Sequence, residues 1–423
     1  MKLSGKVLGG WSVLALLALS GTAMAQDGAA LVTPSTGGNG FKVGSGRLHP
    51  YFHLETRVDS GAGYFPPDES TTPEDLSPEL SGEVAMRFRP GFRLEIPSSR
   101  LELTLDANLE YVLYTGLVTE RSGAASHLEG AADLTARLNP DAPLSLELSN
   151  QFVRSDRTRT AALGTGLLSL FNETRVKVPW RPGGGAVELT PSAGYALEFF
   201  QPLSGAPPRD CTEVACNPLL AEQFDYGDLR FALEGRWRFL PKTALVVDTG
   251  LDLRSYFNDG SSPKASLLRA MLGVAGLVSP RIAVVAKAGW GQDLAASGAG
   301  TFVAQLEGTY LFSPTMSFKG GYLRKLEPVA AYGVFTDNRG YLEARALLGG
   351  KLTLRAGGAV DFLSFSDERT DTLISLDVGP EYQLRPWLTV AAGYMLGSRS
   401  SSLEGRGLNY SRHEGYLRLS ATY

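Results

Sequence analysis

Leu101–Tyr114 reads LELTLDANLEYVLY. Leu101, Leu103, Leu105, Ala107, Leu109, Tyr111 and Leu113 share one parity, and Glu102, Thr104, Asp106, Asn108 and Glu110 share the other. A helix would scatter these side chains around its axis. A strand sends alternate side chains to opposite faces and separates them cleanly.

The same period-two pattern recurs along the chain. Leu128, Gly130, Ala132, Leu134, Ala136 and Leu138 oppose Glu129, Asp133 and Arg137. Leu229, Phe231, Leu233, Trp237 and Phe239 oppose Asp228, Arg230, Glu234, Arg236 and Arg238. Ile374, Leu376, Val378 and Tyr382 oppose Ser375, Asp377, Glu381 and Gln383. Turn residues punctuate these runs. They predict eighteen strands over 48–58, 81–96, 101–114, 126–138, 144–154, 170–180, 186–200, 225–239, 244–257, 265–278, 281–292, 300–312, 315–327, 338–348, 351–364, 371–384, 388–398 and 410–423.

Two features turn this pattern into a membrane fold. Strands of globular proteins run near 5–6 residues, and most segments here are about twice that. A tilted strand needs about 9–11 residues to cross a bilayer. The connections also alternate. Tight turns such as 97–100, 279–280, 313–314 and 349–350 take turns with long polar loops such as 59–80, 155–169 and 201–224. Short turns at one end and long loops at the other mark outer-membrane barrels. A soluble sandwich or propeller has no reason to keep that alternation. The expected fold is all-β: an antiparallel up-and-down transmembrane barrel over residues 48–423.

The N-terminus gives the route. Lys2 and Lys6 precede an apolar stretch from Val7 to Leu19, and Ala23-Met24-Ala25 forms an A-x-A cleavage site. Residues 1–25 read as a secretory signal peptide, with the mature chain starting at Gln26. Residues 26–47 are unpatterned and read as a flexible periplasmic lead-in. No apolar run of about 20 residues follows, so a membrane helix is not expected. The balance of 40 Lys+Arg against 44 Asp+Glu gives a formal charge of −4. That mild acidity gives no support for nucleic-acid binding. Cys211 and Cys216 are spaced Cys-x4-Cys, with no His or further Cys beside them. In an oxidising compartment their expected state is a local disulfide, and a metal site is not expected there.

The C-terminal run Gly415-Tyr416-Leu417-Arg418-Leu419-Ser420-Ala421-Thr422-Tyr423 resembles the terminal signal of outer-membrane barrels. Gly415, Leu417, Leu419 and Tyr423 carry the match, with Ala421 where a larger residue is more usual. The resemblance implies insertion by the barrel-assembly machinery into outer-membrane lipid.

Barrels of 16–18 strands leave an aqueous channel unless something fills it. The polar faces should line that lumen. Glu83, Arg87, Arg89, Arg93 and Glu95 stand on one strand, and Glu102, Asp106 and Glu110 on the next. Arg175 and Lys177 share a later strand, and Arg230, Arg236 and Arg238 are expected to face Asp248 and Asp252. Pairing outward from the 97–100 turn puts Arg87 opposite Glu110 and Arg89 opposite Asn108, with Asp106 diagonal to Arg89 and Arg93. These charges either stiffen the wall by cross-strand pairing or guide a solute. On this reading Arg89→Glu leaves assembly intact and shifts ion preference toward cations. No cofactor is expected. An enzyme is not expected either: mature histidines are His49, His53, His127 and His413, and only His127 neighbours a serine, Ser126.

The opening strand, GRLHPYFHLETRVDSGAGY, resembles that of surface-polysaccharide export porins at Pro50, Tyr51, Phe52 and Asp59 to Tyr64. The resemblance implies outward passage of an exopolysaccharide, with a periplasmic polysaccharide export protein as partner. The alternatives are a general or solute-specific diffusion porin and a structural or adhesive barrel of an envelope complex.

Overall fold

The computed structural model describes residues 40–63, 81–118, 122–157, 159, 161, 163, 166–203, 222–258, 265–295, 298, 300–329, 333–366, 368–403 and 408–423. A short strand β1 (Phe41–Val43) precedes eighteen long ones: β2 (Gly46–Gly63), β3 (Ser81–Ile96), β4 (Leu101–Tyr114), β5 (His127–Leu138), β6 (Leu146–Ser155), β7 (Leu167–Lys177), β8 (Val187–Pro202), β9 (Tyr226–Leu240), β10 (Thr243–Tyr256), β11 (Ala265–Ser279), β12 (Ile282–Asp293), β13 (Gly300–Ser313), β14 (Met316–Val329), β15 (Gly333–Leu348), β16 (Leu352–Phe365), β17 (Thr370–Arg385), β18 (Leu388–Ser401) and β19 (Tyr410–Thr422). Each pairs antiparallel with its neighbours in sequence. The ring closes where β19 pairs with β2, through Leu419↔Leu54 and Arg418↔Glu55. Closure satisfies every strand edge internally, which the hydrocarbon demands of any spanning structure.

All eighteen expected strands are present. Several differ in extent: β2 runs Gly46–Gly63 against the expected 48–58, and β18 runs on to Ser401. The segment expected at 170–180 is β7, which starts three residues earlier and ends at Lys177, before the Pro179 that cannot donate to a ladder. The segment expected at 338–348 starts at Gly333, and its added residues pair with the loop end of β14. The lead-in is shorter than expected, because Phe41–Val43 pairs with the start of β2 and the Phe41 ring lies tilted against Tyr423 at 4.8 Å. The cleavage site and residues 26–39 lie outside the described residues, as do Cys211 and Cys216. Among the described residues no helix is long and apolar enough to cross a membrane; the crossing is made by strands.

The outer surface is apolar and uncovered. Leu109 is 55 % exposed, Leu306 54 % and Leu342 62 %. Side chains of this size left open over a whole girth need lipid against them, not water. Exposed aromatics form two girdles. Trp180, Trp237, Tyr382 and Trp387 ring the end with tight turns, and Tyr195, Phe199, Trp290 and Phe302 ring the end with long loops. Aromatic residues at both interfaces are the outer-membrane arrangement. Gly415, Leu417, Leu419 and Tyr423 fall on this outer face, with Leu417 59 % exposed.

The inner face carries the charges. Two inward tyrosines, Tyr51 and Tyr416, lie against a glycine on the neighbouring strand. A Cβ at Gly91 would sit 2.4 Å from the Tyr51 ring, and one at Gly393 would sit 2.5 Å from that of Tyr416. A ring over a glycine restores the packing that the glycine lacks and keeps the side chain out of the lumen. The ring of strands is not round. β11 and β14 approach within 8 Å at the level of their Cα atoms, and Met271, Ala283, Val285 and Val303 are buried in that corner.

Candidate functional site

The connection between β6 and β7 turns into the barrel. Sequence reading makes 155–169 a long polar loop and leaves open whether it folds inward; the structure places its anchored residues inside. Ala161 is buried against Val329, Phe335, Leu363, Phe365 and Leu373, which belong to β14–β17. In a ring of eighteen strands these stand diametrically opposite β6 and β7. Leu163 joins a second cluster with Leu167, Phe200, Phe224 and Tyr226, and its carbonyl accepts a bond from Arg399 Nη1. Arg399 is itself bound to Asp371 at 2.5 Å. The signal in the sequence is the apolar triplet Ala161-Ala162-Leu163 inside an otherwise polar stretch.

A second set of contacts is ionic. Arg157 meets Glu414 at 2.5 Å. The Asp156 carboxylate lies 3.6 Å from Arg87 and 3.8 Å from Arg412, and the Asp156 amide donates to Glu129 at 2.8 Å. Burial by itself would raise the Asp156 carboxyl. The guanidiniums of Arg87, Arg412 and Arg157 outweigh it and hold the group well below the ordinary carboxylate range. The segment is thus held between apolar contacts at one wall and salt bridges at the other. A third bridge crosses nearby, where Arg254 of β10 donates to the Pro328 carbonyl of β14 at 3.1 Å.

His127, Glu129 and Asp156 place one ligand atom each within 4.8 Å of one another. They do not fit a metal. Arg87 lies 3.5 Å from Glu129 and 3.6 Å from Asp156, so the cation these carboxylates need is already supplied by the chain. His127 bonds to the Ala125 carbonyl and to Glu129, while the Ser126 hydroxyl oxygen accepts from the Tyr114 amide. The neighbouring serine and histidine are therefore each engaged elsewhere.

The charged wall departs from the expected pairing in two places. The β3–β4 register is two residues out from that expectation: Arg87 stands opposite Val112, Gly91 opposite Asn108 and Arg93 opposite Asp106. The ladder closes at Ile96↔Leu103, because Pro97 has no N–H to extend it. Arg87 still reaches Glu110 diagonally at 3.1 Å, and Arg89 Nε donates to the same carboxylate at 2.5 Å. The second departure concerns Arg236 and Arg238, which do not meet Asp248. Asp248 instead holds Arg269 at 3.3 Å and Lys287 at 2.8 Å, across the next two strands. Arg230 stands opposite Asp252 but binds Asp228 at 2.9 Å and Glu173 at 3.0 Å. Elsewhere Arg93 binds Glu95, Glu102 binds Arg137, Arg175 binds Glu173 and Lys177 binds Glu147. Asp106 accepts from the Tyr51 hydroxyl at 2.7 Å.

This pairing changes what Arg89→Glu should do. The Arg89 side chain is only 12 % exposed and is spent on Glu110. Reversing it sets two carboxylates together in a poorly solvated site, so assembly itself should suffer. Charges free to act on a solute lie toward the turn end. Arg238 and Glu234 side chains are each 47 % exposed and Arg236 34 %.

One acid beyond the strands is tuned near neutrality. Asp225, just before β9, accepts the Phe200 amide at 2.8 Å. Burial pushes its carboxyl up to about 6, helped by Glu222 and opposed by the Phe200 bond. The folded chain then binds more protons than the unfolded one between about pH 4 and 6. The stability contributed by this group is present below that window and lost as pH rises through it. Asp225→Asn keeps the acceptor without the charge. Its Phe200 amide should exchange more slowly than wild type at pH 7, and the difference should shrink by pH 4.5. Equal exchange in both proteins at pH 7 would remove this role from Asp225.

No protein-family model and no curated protein matches the sequence. Among solved structures the chain is similar to OccAB3 of Acinetobacter baumannii, with 9 % identity, 90 % of this chain and 100 % of that chain covered, and a TM-score of 0.43. It is similar to the outer membrane protein OpdK of Pseudomonas aeruginosa, with 13 % identity, 89 % and 98 % covered, and a TM-score of 0.44. It is also similar to the siderophore receptor PirA of Pseudomonas aeruginosa, with 11 % identity, 89 % and 80 % covered, and a TM-score of 0.45. Identities and scores of this size assign the chain to no family; its outer-membrane barrel architecture rests on its own closed strand order and apolar girth.

Proposed function

We propose that this barrel is a narrow channel for small hydrophilic solutes across the outer membrane. The observation that carries the reading is the docking of Ala161 on the wall opposite its own strands. A segment that spans the interior divides the passage, and a divided passage suits small solutes better than a polymer. The lining suits polar cargo: its charges are of both signs, mostly paired near the loops and more open near the turns. The reading is of a channel without catalysis, inserted by the barrel-assembly machinery.

Polysaccharide export is the second reading, motivated by the opening strand. Its distinctive residues have a wall function that needs no glycan. Tyr51 packs over Gly91 and binds Asp106, Phe52 faces outward at 44 % exposure, and Asp59 holds Arg412 at 2.5 Å. Liposome swelling with sugars of rising size separates the two. A sharp cut-off at small sugars is expected. Free passage of long oligosaccharides, or loss of surface glycan on deleting the gene, would favour export.

The open charges at the turn end make a separate prediction. Arg236→Glu combined with Arg238→Glu should leave assembly unchanged and move the zero-current potential in a salt gradient toward cation preference. Both side chains are partly exposed and only loosely paired, at 3.9 Å from Glu234 and from Glu188. An unchanged potential would place the solute path away from β9.

A further inference from the structure

One patch of the lipid-facing girth is polar at mid-height. By register, Asn150 and Phe152 of β6 pair with Thr174 and Asn172 of β7, and Asn172 pairs with Leu197 of β8. These residues share the outer parity with Leu148, Val176 and Tyr195, which are 38 %, 39 % and 47 % exposed. Asn150 is the fifth of ten residues in its strand and Asn172 the sixth of eleven. Two carboxamides therefore face outward at the level of the hydrocarbon, where an unmet hydrogen-bonding group costs several kcal/mol.

The amides satisfy each other in part. Asn150 Nδ2 donates to Thr174 Oγ1 at 2.9 Å and, more weakly, to the Glu173 carbonyl at 3.3 Å and Asn172 Oδ1 at 3.4 Å, while Asn172 Nδ2 has only Asn150 Oδ1, at 3.5 Å. An amide offers two donors and two acceptor lone pairs, so the patch has capacity that lipid tails cannot meet. The regular strands β6 and β7 are short, and their wall is carried on toward the turns by the bridges Leu144↔Trp180 and Trp180↔Leu189. They are the two shortest strands of the ring, at 10 and 11 residues, beside 16 in β8. On β5 next to them, Gly130, Ala132, Leu134 and Ala136 face outward in register with Arg154, Phe152, Asn150 and Leu148, and three of these four β5 residues are small.

We propose that β5–β7 is the contact face for a second copy of this chain, paired about a two-fold axis along the membrane normal. Insertion fixes the height of every copy, so a patch at mid-height meets its own equivalent at mid-height. Carboxamides are complementary to themselves, because each donates and accepts; a patch of arginines or of aspartates would repel its copy. In an isologous contact the two amide pairs complete each other's bonds. The closest approach falls where the outward side chains of β5 are mostly small.

The test is the mass of the folded protein extracted from native membranes in mild detergent, by light scattering or native mass spectrometry. Wild type is expected at the mass of two chains. Asn150→Leu combined with Asn172→Leu is expected at one chain, with the heat-dependent gel shift of a closed barrel retained. A second variant guards against misfolding. Thr174→Cys, with Cys211→Ser and Cys216→Ser, should form an intermolecular disulfide in the membrane under mild oxidation, whereas Leu306→Cys on the far girth should not. A wild-type mass of one chain or of three would overturn the proposal. So would a two-chain mass that persists in the double leucine variant, or cross-linking at Leu306→Cys and not at Thr174→Cys.

Discussion

Leu105→Arg is expected to impair assembly of the folded barrel severely. Leu105 stands on the outer parity of β4, opposite Leu94 of β3 and Leu134 of β5, well inside the apolar band. An arginine at the bilayer midplane of a barrel costs about 2–4 kcal/mol, and folded domains hold only about 5–15 kcal/mol in total. The guanidinium has no acid to meet on that face, since both register partners are leucines. Asp106→Asn, one residue on, points into the lumen. Its amide oxygen still accepts from the Tyr51 hydroxyl, now at 2.7 Å from Asp106, so this variant should assemble. The readout is the heat-dependent shift on gels, which a closed barrel shows and an unassembled chain does not. Assembly of Leu105→Arg together with failure of Asp106→Asn would reverse the assignment of the two faces.

The inside and outside of the wall were legible because parity is a property of the chain itself. Once Leu101 to Leu113 are seen to alternate with Glu102 to Glu110, lipid can only take the leucine side. Strand count was legible for a related reason: each tight turn is written locally, as in Ser313-Pro314 or Gly349-Gly350. Register was less so. Arg87 came out opposite Val112 and not Glu110, because a four-residue turn and a six-residue turn read alike until Pro97 is weighed as a missing donor. The partners of Asp248 were less legible still. Its bonds to Arg269 and Lys287 cross to β11 and β12, and side-chain reach over two strands depends on wall curvature that no local pattern encodes. Least legible was the inward turn of the β6–β7 connection. Its anchors, Phe335, Leu363 and Leu373 on one side and Arg87 and Glu414 on another, are remote in sequence, and only ring closure brings them to residues 156–163.

That connection carries the second large effect. Ala161→Asp and Ala161→Arg, opposite in charge, are both expected to raise single-channel conductance severalfold while leaving the barrel assembled. Ala161 is 6 % exposed among Val329, Phe335, Leu363, Phe365 and Leu373. Forcing a charge into that cluster costs several kcal/mol whatever its sign. The strands do not depend on the docked segment for their ladders, so the cheaper response is for the segment to leave the opposite wall. Arg369 lies over Phe365 at 4.1 Å but is bound to Asp371 at 2.5 Å; a rescue by that guanidinium would appear for the aspartate and not for the arginine. The salt bridges of Asp156 and Arg157 would still tether the near end of the segment, so the added conductance should fall on the β14–β17 side. Large sugars excluded from wild-type liposomes should then enter those made with either variant. Unchanged conductance and an unchanged size cut-off in both variants would mean that the segment does not bound the passage, and the small-solute reading would fall with it.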